Sequence, residues 1–176
     1  MSRVILVHGF NVSDGGEATV DRLLLFLEAM GYEVIQYDYG WRGLFGVRFM
    51  SKRDSQGLMD LFKPGDIVIG HSNGGHLIAR AIEKGMPVKH AIMIHPALDK
   101  DWYPPDGHPV KEVHIYWSPQ DKATWWSQWS PWMWGGMGTY GPTSGDLRMV
   151  SHKEDQSHSG GFSEHPSKYV ESLNGT

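Results

Sequence analysis

The residues that could do chemistry begin at a corner. Gly70-His71-Ser72-Asn73-Gly74 fits the pattern G-x-S-x-G, between a β-branched run, DIVIG (66–70), and a helical run, GGHLIARAIEKG (74–85). In a strand–turn–helix elbow of this kind a strained backbone lifts the middle side chain above the sheet edge. Small residues two places to either side let strand and helix cross closely. The helix also aims its positive end at the serine, where acyl transfer would build negative charge. A serine that merely caps a helix would look the same over five residues. The rest of the chain must therefore supply the partners.

A serine hydroxyl is a weak nucleophile without a base, and the base needs a carboxylate to orient it. Open α/β sheets place such groups beyond the C-terminal ends of their strands. The run EVHIYW (112–117) leads into SPQDKAT, which offers Asp121, and LRMVSH (147–152) leads into a segment offering His152, His158 and His165. His158, in Ser-His-Ser-Gly-Gly, is the candidate base. His152 reads as part of the last strand, and His165 stands against Pro166 at the start of the last helix. Asp99 competes with Asp121, but it follows the fourth strand and shares a loop with Asp101 and Asp106; Asp38 reads as a turn residue. Two main-chain donors are needed for an oxyanion: the N–H of Asn73 and, in the ILVHGFN segment after the first strand, that of Phe10, which a tight turn at Gly9 would free.

The elements that must position these groups alternate between short β-branched runs and longer amphipathic ones, the pattern of βαβ units and a parallel sheet. Strands are predicted at 3–7, 32–38, 66–70, 89–95, 112–117 and 147–152, most of them apolar on both faces. Between them, Val20, Leu23, Leu24, Leu27 and Met30 have helical spacing closed by Gly31, and 74–85 is a helix closed by Gly85 with Pro87 beyond. Residues 43–62 are helical in part and PSKYVESLN is a short final helix. Residues 99–110 and 122–146 read as loops, and nothing divides the chain, so 1–176 is expected to be one domain.

VHGF (7–10), GHSNGG (70–75), the aspartate of YWSPQDKAT and the histidine of SHSGGF together resemble the serine hydrolases of the α/β-hydrolase superfamily, in particular its small lidless esterases and lipases. The order Ser, Asp, His along the chain is that family's order. The resemblance implies a three-layer αβα sandwich of about six mostly parallel strands in the order 2-1-3-4-5-6, reduced by two antiparallel strands. It implies a catalytic Ser72, Asp121 and His158 with an oxyanion hole from Phe10 and Asn73, and an ester or thioester substrate. An amidase or peptidase could use the same groups, and a non-catalytic binding protein could retain the fold. The HGF sequence replaces the family's HGGG run, and only about fifteen residues separate His95 from the next strand, too few for a large cap.

Composition narrows the alternatives. The 176 residues can bury roughly 70% of the surface the unfolded chain exposes, and a net charge of −4 with 20% charged residues gives no basic excess to attract nucleic acid. There are no cysteines, hence no thiolate metal site or cysteine nucleophile. His71 and His76, like His90 and His95, stand five apart, no H-E-x-x-H occurs, and GHSNGG lacks the P-loop lysine; no metal or cofactor is expected. Only four apolar residues stand between Arg3 and His8, too few for a signal or membrane segment, which reads as a cytoplasmic protein. Five of eight tryptophans crowd into 125–134, directly after Asp121. Such a segment can wall a site for an apolar acyl or aromatic group or simply pack on the sheet. If it binds substrate, alanine at Trp132 and Trp134 will change the enzyme's preference among esters of increasing chain length; an unchanged profile in a destabilised protein would assign them to packing.

Overall fold

The structure, a computed structural model, describes residues 2–9, 19–40, 44–127 and 135–173, with the backbone alone at 44–49. Six strands, β1 (Arg3–Val7), β2 (Glu33–Tyr37), β3 (Ile67–His71), β4 (His90–Ile94), β5 (Glu112–Trp117) and β6 (Met149–Lys153), form one sheet in the order β2-β1-β3-β4-β5-β6. Every neighbouring pair is parallel. All C-terminal strand ends therefore share one edge of the sheet. The central strand β3 is buried at all five residues, while the edge strands β2 and β6 are only partly covered.

The alternation of side chains along a strand sorts the apolar residues into two cores. Ile5, Val7, Val68, Met93, Val113 and Ile115 face Leu58 of α2 (Leu44–Leu61) and Leu77, Ile78, Ala81 and Ile82 of α3 (Asn73–Glu83). Val4, Leu6, Ile69, Ile92, Ile94 and Tyr116 face the opposite way, onto Leu27 of α1 (Leu24–Ala29), Phe162 of α6 (Gly160–Glu164) and the C-terminal Tyr169 and Leu173. The result is the three-layer sandwich. Among the described residues no helix is long and apolar enough to cross a membrane.

Four segments depart from the sequence reading. The first helical run opens as a 3-10 turn at Val20–Leu23 before α1, and the last resolves into 3-10 turns at Pro166–Tyr169 and Glu171–Leu173. Runs this short form too few i→i−4 bonds to repay α-helix nucleation. The tryptophan-rich stretch expected as a loop contains α4 (Lys122–Ser127) and α5 (Met137–Tyr140), and the loop expected around His158 leads at once into α6. Asp121 supplies the reason for α4, because its Oδ1 accepts the Thr124 N–H and its carbonyl accepts the Trp125 N–H, an Asp cap on a helix whose composition alone is a poor signal.

The crossing of β3 and α3 depends on two glycines. A Cβ at Gly70 would stand 2.6 Å from the Gly74 carbonyl carbon, and one at Gly74 would run into the Val7 carbonyl and stand 2.7 Å from that of His8. Backbone cannot retreat as a flexible side chain can. Gly74→Ala is expected to destabilise the protein by about 3 kcal/mol, read as a lowered urea midpoint at unchanged slope; a loss below about 1 kcal/mol would show that the helix can shift aside.

Candidate active site

Ser72 follows β3 and caps α3 with φ 53° and ψ −115°, a left-handed conformation that a non-glycine residue adopts at a cost of roughly 1–3 kcal/mol. Neighbouring strands hold it there: its N–H donates to the Ile94 carbonyl at 2.9 Å, and its own carbonyl accepts the Ala97 N–H at 3.2 Å. The loop after β1 closes over the same corner, since a Cβ at Gly9 would stand 3.3 Å from the Ser72 Cβ. Tyr39 secures that loop, donating its hydroxyl to the Gly9 carbonyl at 2.6 Å and accepting from the Asn73 side-chain amide at 3.1 Å. His8 stacks on Tyr39 at 4.2 Å and donates Nδ1–H to the same carbonyl. The Asn73 N–H, first in α3, has no intrahelical acceptor. Phe10 lies outside the described residues.

Asp121 and His158 are brought together. His158 Nδ1 donates to Asp121 Oδ2 at 2.9 Å, which commits one ring nitrogen and leaves Nε2 to act. The carboxylate is fully buried and accepts in addition from the Thr124 N–H, the Thr124 hydroxyl at 2.7 Å and His95 Nδ1 at 3.1 Å. Burial alone would raise its pKa, but the bonds from His158 and His95 overcome it and hold the group far below the usual carboxylate range. Only glycine fits beside it at position 138, where a Cβ would stand 2.8 Å from Asp121 Oδ2.

His71, the neighbour of Ser72, links the elbow to this pair. Its Nε2–H donates to the His158 carbonyl at 2.9 Å, and the two rings lie 4.7 Å apart, with Phe162 edge-on to His71 at 5.1 Å. Burial, and then the charge of His158, push the His71 pKa well below that of a free imidazole. Among the described residues the Ser72 hydroxyl makes no hydrogen bond to His158. In unliganded active sites this contact is commonly long and shortens only with substrate in place.

The other candidates fall elsewhere. His152 is on β6, stacked on Tyr116 at 4.4 Å and bonded to His114 at 2.9 Å. His165 ends α6 at the surface and Asp99 is exposed. Asp38 accepts the Gly40 N–H, as a turn residue does, but also faces His8 Nε2 at 3.2 Å. Trp132 and Trp134 lie outside the described residues; Trp125 and Trp126 are exposed on α4, edge to face at 5.0 Å. Sequence reasoning missed His95 and Glu154. His95 Nε2 donates to Glu154 Oε1 at 2.6 Å, and Glu154 also pairs with Lys168 and accepts from Tyr169. The available signal was a histidine directly after β4 at the sheet edge that carries Ser72 and Asp121. Among the described residues, His95, Asp121 and His158 are also the set whose ligand atoms, within 4.8 Å of one another, could hold a metal ion. A metal there would have to displace both N–H···O bonds on Asp121.

No protein-family model and no curated protein matches the chain. Solved structures do. A Xanthomonas campestris pv. campestris protein assigned to the alpha/beta hydrolase superfamily is 18% identical, with all of both chains covered and a TM-score of 0.60. An esterase from Pyrococcus furiosus is 13% identical over 98% of this chain and 80% of its own, with a TM-score of 0.62. A pyrethroid hydrolase from Sphingobium faniae is 14% identical over 98% and 96%, also with a TM-score of 0.62.

The neutral His71 has a measurable consequence. Its folded-state value lies below its unfolded one, so on acidification the unfolded chain takes up the proton first, and stability drops. Relative to His71→Gln, the wild type is expected to lose on the order of 1 kcal/mol per pH unit between about pH 6 and 5, measured by urea unfolding. Parallel curves for the two proteins would place His71 in a solvated setting.

Proposed function

We propose that this chain, which has the α/β-hydrolase fold, is a serine hydrolase that cleaves a carboxylic ester or thioester through an acyl-enzyme. The observation that carries this reading is the bond from His158 Nδ1 to the buried Asp121 at 2.9 Å, made at the sheet edge where Ser72 is held left-handed. A serine that only capped a helix would not need that conformation.

In the proposed reaction Ser72 Oγ attacks the acyl carbon while His158 Nε2 takes its proton. Asp121, accepting from Nδ1, fixes the tautomer that leaves Nε2 basic and balances the imidazolium as it forms. The carbonyl oxygen becomes an oxyanion beside the N–H of Asn73, with the N–H of Phe10 as the second donor. His158 returns the proton to the leaving alcohol or thiol, and water, deprotonated by the same nitrogen, releases the acid. Each half-reaction uses the same three side chains and no cofactor. The esterase and pyrethroid hydrolase among the structural neighbours support an ester as the substrate class. The exposed rings of Trp125 and Trp126, one turn beyond Asp121, support an apolar acyl or aromatic group.

A fluorophosphonate probe is expected to label the wild type and not Ser72→Ala. With short-chain p-nitrophenyl esters, Ser72→Ala and His158→Ala should each lose on the order of 10⁶-fold in kcat. Labelling that survives Ser72→Ala, or a loss below about tenfold, would end the proposal. A matched panel of anilides and esters separates esterase from amidase.

A further inference from the structure

Asp121 Oδ2 serves two imidazoles. His158 Nδ1 reaches it at 2.9 Å from one side and His95 Nδ1 at 3.1 Å from the other, with the two rings perpendicular and 5.8 Å apart. His95 differs from His158 in every respect that matters for a base. It is wholly buried, and both of its nitrogens face carboxylate oxygens, Asp121 Oδ2 and Glu154 Oε1. A ring with an acceptor at each nitrogen satisfies both only as the doubly protonated cation. The backbone is also committed, since His95 sits at φ 47° with its N–H donated to the Tyr116 carbonyl. A left-handed, fully buried histidine at a strand end is costly to maintain by chance.

We infer that His95 is a positioning residue for the proposed triad: an imidazolium clamped between Asp121 and Glu154 that fixes the Asp121 carboxylate and divides its charge between two rings. The inference rests on the serine hydrolase reading for its kinetic consequence, but not for the clamp itself. The titratable and charged groups facing His95 are Asp121 from the β5–α4 turn, Glu154 beyond β6 with its partners Lys168 and Tyr169, and the rings of His158 and His71. With Asp121 and Glu154 negative, His95 and Lys168 positive, the cluster is neutral before His158 takes a proton. Burial opposes the charge on His95, yet its hydrogen bonds to Asp121 and Glu154 outweigh burial and raise its pKa above that of free imidazole.

Taking away the His95 cation therefore leaves His158 facing one more uncompensated negative charge and makes it easier to protonate. His95→Asn, chosen because asparagine tolerates the left-handed region, is expected to move the acid limb of the kcat/KM profile up by about one pH unit. Glu154→Gln removes a negative charge and is expected not to move that limb upward. Independently of turnover, imidazole ¹⁵N NMR of the wild type should find His95 doubly protonated at pH 7.5, its signal assigned by its absence in His95→Asn, and neutral or more readily deprotonated in Glu154→Gln. An acid limb unmoved in a His95→Asn protein that retains the wild-type circular dichroism and cooperative melt would overturn the kinetic role. A neutral His95 in the wild type would overturn the clamp. If no ester is hydrolysed and no probe reacts, the functional proposal fails while the NMR result still decides the clamp.

Discussion

A single oxygen, Asp121 Oδ2, organises one end of this molecule. Three donors converge on it, His158 Nδ1, His95 Nδ1 and the Thr124 hydroxyl, in a position with no solvent exposure. An unpaired carboxylate there would cost several kcal/mol in lost hydration; short charge-assisted bonds offset that cost. The same residue nucleates local structure, since Oδ1 accepts the Thr124 N–H and starts α4. Gly138 of α5 then packs against the carboxylate with no room for a side chain. The carboxylate of the proposed triad, a helix cap and a packing contact are thus the same few atoms.

The sheet sets that oxygen and the serine beyond the same edge. Parallel order puts the ends of β3, β4, β5 and β6 side by side, so Ser72, His95, Asp121 and Glu154 follow four consecutive strands of the sheet. The elbow is over-determined, and this is how a strained conformation persists. Ser72 is bonded to β4 through Ile94 and to the segment beyond it through Ala97, while Gly74 lets α3 press against the end of β1. Strain at φ 53° is then maintained by contacts on three sides rather than by the turn's own preference.

Much of this was legible in the residues, for identifiable reasons. The β3–α3 elbow announces itself because its clearance demands glycine at 70 and 74, and steric demand leaves a mark in sequence. Asp121 could be ranked above Asp99 because it follows the fifth strand, and His158 above His152 because the latter falls on a strand. His95 and Glu154 left no such mark. A histidine ending KHAIMIH and a glutamate in HKED are ordinary locally, and their meaning comes from the pairing of β4 with β5 and β5 with β6, which joins residues 26 and 59 positions apart. Helices α4 and α5 were hidden for a different reason: tryptophan, glycine and serine are weak helix formers, and the order there comes from the Asp121 cap and from tertiary contact.

The two histidines flanking His158 carry opposite charge states, and the difference has a consequence for the proposed chemistry. His71, 4.7 Å from the His158 ring, is buried with no carboxylate on its ring and stays neutral; His95, 5.8 Å away, is buried between two carboxylates and carries its proton. Were both cations, the imidazolium formed on His158 would face two positive rings with one shared carboxylate. Were both neutral, His158 would face one negative charge more than Lys168 offsets, and taking the proton from Ser72 would be driven less by need than by its surroundings. One charged and one neutral neighbour leave the described surroundings close to balanced before the proposed reaction separates charge, imidazolium on one side and oxyanion on the other. Such a pair attracts more strongly the less water stands between its members, and its stabilisation appears only as the transition state is reached.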